Sequence, residues 1–141
     1  MGHRYLALLF VGLVLVTALP CRAGMTPEER AKRWFEAHDR DHVGYLTADL
    51  VVAYELRRFK RMDSYSAGKL SLGEFCGGVP SDQLDEMSHC RGLFIAMDRN
   101  SDGYVTEQEV ANYYREEVQR ADQKGDGRVT LEEWLASKQE Q

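Results

Sequence analysis

The chain has 141 residues, 18 of them Lys or Arg and 23 Asp or Glu, which gives a formal charge of −5. That sign excludes the basic face of a nucleic-acid phosphate binder and a polybasic membrane-surface protein. With 43% apolar residues, 29% charged residues and only 3 Pro, the composition is that of a folded domain rather than a disordered one. The length suits one compact domain.

The first element in chain order reads as a targeting segment. Met1 to Tyr5 is short and basic, Leu6 to Leu19 is an unbroken apolar run, and Pro20 to Gly24 is small and chain-breaking. This is the layout of a secretory signal peptide. The apolar run is shorter than the roughly 20 residues a membrane helix needs. A signal peptide over residues 1–23 is expected, with cleavage after Ala18 or an uncleaved anchor as alternatives. Removing residues 1–23 deletes Arg4, Arg22, Cys21 and no acid, so the mature chain carries −7 and keeps Cys76 and Cys90. The expected location is secreted or periplasmic, with no stable membrane insertion after cleavage. The domain then spans 24–141. Its first helix is predicted to start at Thr26-Pro27-Glu28-Glu29, a capping box with Pro at the first helical position.

One stretch further along stands out. Asp98, Asn100, Asp102, Gly103 and Glu109 fall on the pattern D-x-[DN]-x-[DN]-G-x5-E in every constrained position. A hard cation such as Ca²⁺ takes six to eight oxygens. Asp98, Asn100 and Asp102 supply side-chain oxygens, Tyr104 its backbone carbonyl, and Glu109 two closing oxygens. Thr106 reaches the ion directly or through water. A polar turn between helices would not require both the Gly and the distant Glu.

This segment resembles the EF-hand, calmodulin-like superfamily. The resemblance implies Ca²⁺ as cofactor and an all-α fold of helix-loop-helix units. With that template, residues 122–133 form a second good loop. Asp122, Asp126, the Arg128 carbonyl and Glu133 stand at ligand positions, and Lys124 stands where an oxygen belongs. Residues 63–74 keep Asp63, Gly68 and Glu74 but carry Tyr65 and Ala67. Residues 39–50 keep Asp39, Asp41 and Gly44 but have Val43 and end on Leu50. Loops one and two are expected to be essentially empty of metal. Three apolar columns support folded hands at all four places. They are Phe35, Phe59, Phe94 and Val118 before the loops, then His38, Met62, Met97 and Ala121, then Leu46, Leu70, Val105 and Val129 inside them.

Successive loops start at 39, 63, 98 and 122, so the intervals are 24, 35 and 24 residues. Residues 51–62 and 110–121 each have room for one helix of about 18 Å. Each outer loop must therefore share a helix with an inner loop. Such short spacing is similar to that of secreted bacterial EF-hand proteins, and also to dockerin modules, which have only two loops. The spacing predicts nested pairing, with loop two against three (Leu70 facing Val105) and loop one against four (Leu46 facing Val129). The fold class expected is thus all-α, with four EF-hand units, shared helices and short β contacts.

Cys76 follows the end of loop two and Cys90 lies on the helix leading into loop three. Gly77-Gly-Val-Pro80 reverses the chain between them. A Cys76–Cys90 disulfide is expected, two buried free thiols being the alternative. His38 and His42 flank Asp39 and Asp41. The simpler reading places His38 in a core column and His42 at a variable loop position, not in a transition-metal site. Met62 and Met97 also belong to the core column. Tyr113, Tyr114, Trp34, Trp134 and Met87 could line a groove for a partner helix. No nucleophile motif or phosphate loop is present, so no enzyme is expected. The function expected is a secreted calcium-binding protein in which Ca²⁺ stabilises the fold and a surface for an as yet unknown protein partner. A Ca²⁺ sensor and a Ca²⁺-independent adaptor with vestigial loops are the alternatives.

Overall fold

The computed structural model describes residues 25–139. The leader expected over 1–23 lies outside the described residues. The chain is mostly helical. Its elements are α1 (Pro27–His38), β1 (Tyr45–Leu46), α2 (Ala48–Met62), β2 (Lys69–Ser71), α3 (Leu72–Phe75), α4 (Leu84–Met97), β3 (Tyr104–Thr106), α5 (Glu107–Ala121), β4 (Val129–Thr130) and α6 (Leu131–Gln139).

Local chemistry sets the helix ends. Thr26 Oγ1 accepts from the Glu29 N–H at 3.1 Å, and Glu29 Oε2 accepts from the Thr26 N–H at 2.8 Å. Ser71 with Glu74 and Thr106 with Glu109 repeat this capping box at α3 and α5. Each satisfies N–H groups that the first helical turn would otherwise leave bare. Four helices stop at the aspartates that open the loops. The N–H groups of Asp39, Asp63, Asp98 and Asp122 donate back to the carbonyls of Phe35, Phe59, Phe94 and Val118.

The strands pair as the intervals predict. β1 runs antiparallel to β4 with Leu46 opposite Val129, and β2 runs antiparallel to β3 with Leu70 opposite Val105. All four of these side chains are fully buried. Loop one makes no strand contact with loop two, since α2 keeps them apart. The shared helices α2 and α5 pack side by side, and α1 packs on α6. Phe35, Phe59, Phe94 and Val118 are buried, as are His38, Met97 and Ala121. Met62 and Met87 are only partly buried but pack against the same core.

The segment after loop two is shorter than a full outgoing helix. α3 has a single turn, capped at Cys76, and the chain after it needs Gly77, where a Cβ would sit 2.8 Å from the Gly73 carbonyl oxygen. The Val79 N–H then closes a turn onto the Cys76 carbonyl at 3.0 Å. Cys76 and Cys90 form a disulfide with their Cα atoms 5.9 Å apart, tying α3 to α4.

Candidate metal centre

Each loop is organised by its first aspartate. The Asp98 carboxylate accepts from the N–H groups of Asp102 (3.1 Å) and Gly103 (3.0 Å). Asp122 does the same for Asp126 (3.2 Å) and Gly127 (2.8 Å), Asp63 for Ala67 and Gly68, and Asp39 for Val43 and Gly44. The sixth position needs glycine for the turn, with φ of 83°, 71°, 82° and 78° at Gly44, Gly68, Gly103 and Gly127. These bonds explain why all four loops share one backbone path while their ligand sets differ.

Loop three is the most completely furnished. Asn100 Oδ1 accepts from the Asp102 N–H at 3.0 Å, and Asp102 Oδ1 accepts from the Tyr104 N–H at 2.9 Å. Glu109 Oε2 takes the Thr106 N–H at 2.9 Å and the Thr106 hydroxyl at 2.8 Å. Thr106 therefore orients the closing acid. No ion pair among the described residues involves Asp98, Asp102 or Glu109. Arg99, the cation inside the loop, is turned onto Glu116 of α5. Three carboxylates, the Asn100 amide oxygen and the Tyr104 carbonyl make an all-oxygen set without a competing ammonium, which fits Ca²⁺. Among the described residues no three His, Cys, Asp or Glu side chains are gathered into one tight cluster. The acids are instead spread along backbone N–H groups.

Loop four has a different balance. Asp126 Oδ1 accepts from the Arg128 N–H at 2.9 Å, and Glu133 Oε2 accepts from the Thr130 N–H at 3.0 Å and its hydroxyl at 2.8 Å. These Thr130 bonds hold the Glu133 carboxyl below the usual carboxylate range, and the nearby Lys124 ammonium lowers it further. The other oxygen, Glu133 Oε1, is buried without a hydrogen-bond partner. Lys124 Nζ lies 3.4 Å from it. A buried carboxylate oxygen without a hydrogen bond is costly and calls for a cation. Here the lysine stands nearest, on a side chain 65% exposed and free to turn outward. Arg128 turns its guanidinium over the Tyr45 ring, 4.7 Å from the centroid.

Loops one and two offer less. Leu50 closes loop one with no oxygen; loop two keeps Glu74, held by Ser71 as Glu109 is by Thr106, but carries an 84% exposed Tyr65 and Ala67 where side-chain oxygens belong. His42 is exposed at a φ of 51°. His38 is buried, but its neighbourhood is not purely apolar. Its Nε2 meets Glu55 Oε1 at 2.9 Å and its Nδ1 meets the Trp34 carbonyl at 2.7 Å. Sequence reasoning missed Glu55 and Glu117, both buried acids. The available signal was a carboxylate four residues after Val51 in α2, and another just before Val118 in α5, on otherwise apolar stripes.

The EF hand family model matches residues 91–112 and 119–136, the stretches that carry loops three and four. The match supports the EF-hand superfamily and calcium binding as the chemistry of those loops. The EF hand is typically a binding module, not an enzyme. No curated protein matches the chain. No helix among the described residues is long and apolar enough to cross a membrane.

Proposed function

We propose that the protein is an exported calcium-binding protein with four EF-hand units, in which Ca²⁺ at loop three stabilises the fold and a surface for a protein partner. The observation that carries the reading is loop three itself, an all-oxygen donor set of Asp98, Asn100, Asp102, the Tyr104 carbonyl and Glu109, with the loop's cation, Arg99, turned out onto Glu116. Ca²⁺ supplies a point charge that gathers these acids, and the helices α4 and α5 that flank the loop are thereby fixed. Asp122, Asp126, the Arg128 carbonyl and Glu133 form a second site when Lys124 turns away. Loops one and two serve as β-paired supports. Export is favoured by the apolar leader and by a disulfide, which persists in oxidising compartments. Extracellular modules work at Ca²⁺ dissociation constants of about 10⁻⁴–10⁻³ M, where the ion is a constant presence and a structural role suits it better than a signalling one.

The test is a Ca²⁺ titration of residues 24–141, following tryptophan emission, hydrodynamic radius and binding of an apolar-surface dye. Compaction with a raised melting temperature is the expected outcome. New apolar exposure would assign a sensor instead, and no change at any Ca²⁺ concentration would leave an adaptor.

A further inference from the structure

The net negative charge conceals a local excess of the opposite sign. The second half of α2 carries Arg57, Arg58, Lys60 and Arg61, four cations in five positions of a chain whose formal charge is −5. Arg57, Lys60 and Arg61 are exposed. Among the described residues none of these three makes an ion pair. Arg58 reaches the buried Glu55 at 3.5 Å, an acid that His38 already holds. Asp63, the next acid along the chain, is taken up by the N–H groups of Ala67 and Gly68. Like charges three or four apart on a helix repel, and Arg57–Lys60, Arg57–Arg61 and Arg58–Arg61 are all such pairs. The carbonyl end of the helix favours Lys60 and Arg61 in the last turn, but that field fades before Arg57.

α5 supplies an internal control. It stands between loops three and four as α2 stands between loops one and two. Counted back from Asp122 as from Asp63, Glu116, Glu117, Gln119 and Arg120 occupy the places of Arg57, Arg58, Lys60 and Arg61. There Glu117 holds Arg120, and Glu116 holds Arg99. The hand architecture therefore does not require the basic cluster, and at α2 no described side chain neutralises its exposed members.

The composition of the patch decides what fits it. Between Ala53 and Ser64 every exposed residue is a cation. The patch thus lacks the apolar centre around which protein interfaces are built, and has nothing to sink into a bilayer. Tyr54 is covered by the Arg40 guanidinium, 5.0 Å from its centroid, and by the His38 ring at 4.3 Å, so this stretch offers no aromatic face to a nucleobase. Short Lys/Arg clusters of this kind suit a hydrated linear polyanion.

We propose that the exposed face of α2 binds a linear anionic polysaccharide through Arg57, Lys60 and Arg61, with Arg58 at its edge. A polysaccharide, rather than another polyanion, follows from the exported reading above. Binding in solution does not depend on where the chain works, so its failure would leave export standing.

Calorimetry of the Ca²⁺-loaded protein with a heparin octasaccharide tests the assignment. Saturable binding is expected, with a dissociation constant on the order of 10 μM in about 50 mM NaCl. It should weaken roughly sixtyfold in about 200 mM NaCl, as three to four phosphate-like contacts imply. Arg57→Gln/Lys60→Gln/Arg61→Gln should bind at least about tenfold more weakly and lose most of the salt dependence. Lys32→Gln/Arg33→Gln removes two exposed cations of α1 and should stay within about twofold of wild type. Melting curves check that the variants fold; if the triple variant does not, Arg57→Gln alone decides, with a loss of at least about threefold. Absence of saturation below about 1 mM, unchanged affinity in the triple variant, or an equal loss in the α1 variant overturns the proposal. So does tighter binding of octaglutamate, octathymidylate or phosphatidylglycerol vesicles than of the octasaccharide at the same salt.

Discussion

The inner and outer loop pairs solve one problem with different means. Loops two and three face each other through Leu70 and Val105, and the disulfide between Cys76 and Cys90 ties α3 to α4 behind them. Loops one and four face each other through Leu46 and Val129, with no disulfide; the Trp34–Trp134 stack joins α1 to α6 instead. Each pair also joins one loop rich in oxygen ligands to one poor in them. The four β-contact residues are all fully buried whatever ligands their loops have kept. The same buried pairing is thus made by the ligand-rich and the ligand-poor loops. What distinguishes the two pairs is how each closes its acidic loop. Loop three keeps its carboxylates free of internal cations, while loop four brings its own ammonium.

The covalent brace should have the largest effect. Replacing both Cys76 and Cys90 by Ser is expected to cost about 3 kcal/mol in the chain-entropy account of a short closed loop, read as a lowered denaturant midpoint. Thiol counting on unreduced, denatured wild type should find neither cysteine free, and two free thiols would remove the bridge from the comparison. Next comes the metal chemistry of loop three. Glu109→Gln keeps the side chain's shape but removes the closing charge. Ca²⁺ affinity should fall roughly a hundredfold, the scale of losing one desolvated charged contact. Titration calorimetry that shows affinity retained would mean that loop three is not the main site.

The contrast with loop four is sharpened by Lys124→Asp. The change removes the ammonium 3.4 Å from Glu133 Oε1 and supplies an oxygen at the third loop position. A second site should appear, or an existing one should tighten by about tenfold. Stoichiometry and affinity equal to wild type would show that Lys124 does not limit the loop. The converse change, Lys124→Met, tests whether the lysine stabilises the loop without metal. In chelator, the buried Glu133 oxygen then loses its nearest cation, and the melting temperature should drop slightly.

The loops and their pairing were legible because a twelve-residue hand fixes ligand and core positions together. The intervals between Asp39, Asp63, Asp98 and Asp122 leave too little chain for sequential pairs. Gly77 and Gly78 marked the reversal after loop two, although the pattern did not show that α3 would be a single turn. The direction of Lys124 stayed open in the sequence. A long side chain can snorkel into water or turn inward, and burial of Glu133 Oε1 is what draws the ammonium toward it. The aromatic stack was only half visible. Trp34, Tyr113, Tyr114 and Trp134 stood out as groove candidates, but their stacking joins the two ends of the domain and follows from α1 meeting α6. The buried pair of His38 and Glu55 was hidden for the same reason: its members lie on separate helices, and each alone looks like an ordinary helix residue.

The smallest effect concerns alkaline pH and separates the α1–α6 side of the molecule from the disulfide-braced one. Tyr113 sits over Tyr114 edge to face, with ring centroids 5.2 Å apart. Its phenol is pushed up to about 12, first by burial and then by the Glu117 charge. An unfolded tyrosine ionises near 10. Between those values the unfolded chain releases a proton that the folded chain keeps, so the folded state binds more protons and stability falls as pH rises. Below about 10 both states hold the proton and the group contributes no pH dependence. The more deeply buried Tyr114 phenol is raised as well, by burial first, so the diagnostic quantity is the difference between wild type and Tyr113→Phe. The urea midpoint of the variant should decline less steeply than that of wild type from pH 10 to 12, and the two should run parallel from pH 7 to 9. Parallel curves throughout would mean that the Tyr113 hydroxyl reaches solvent freely, and that the α1–α6 side is more open than its aromatic stack implies.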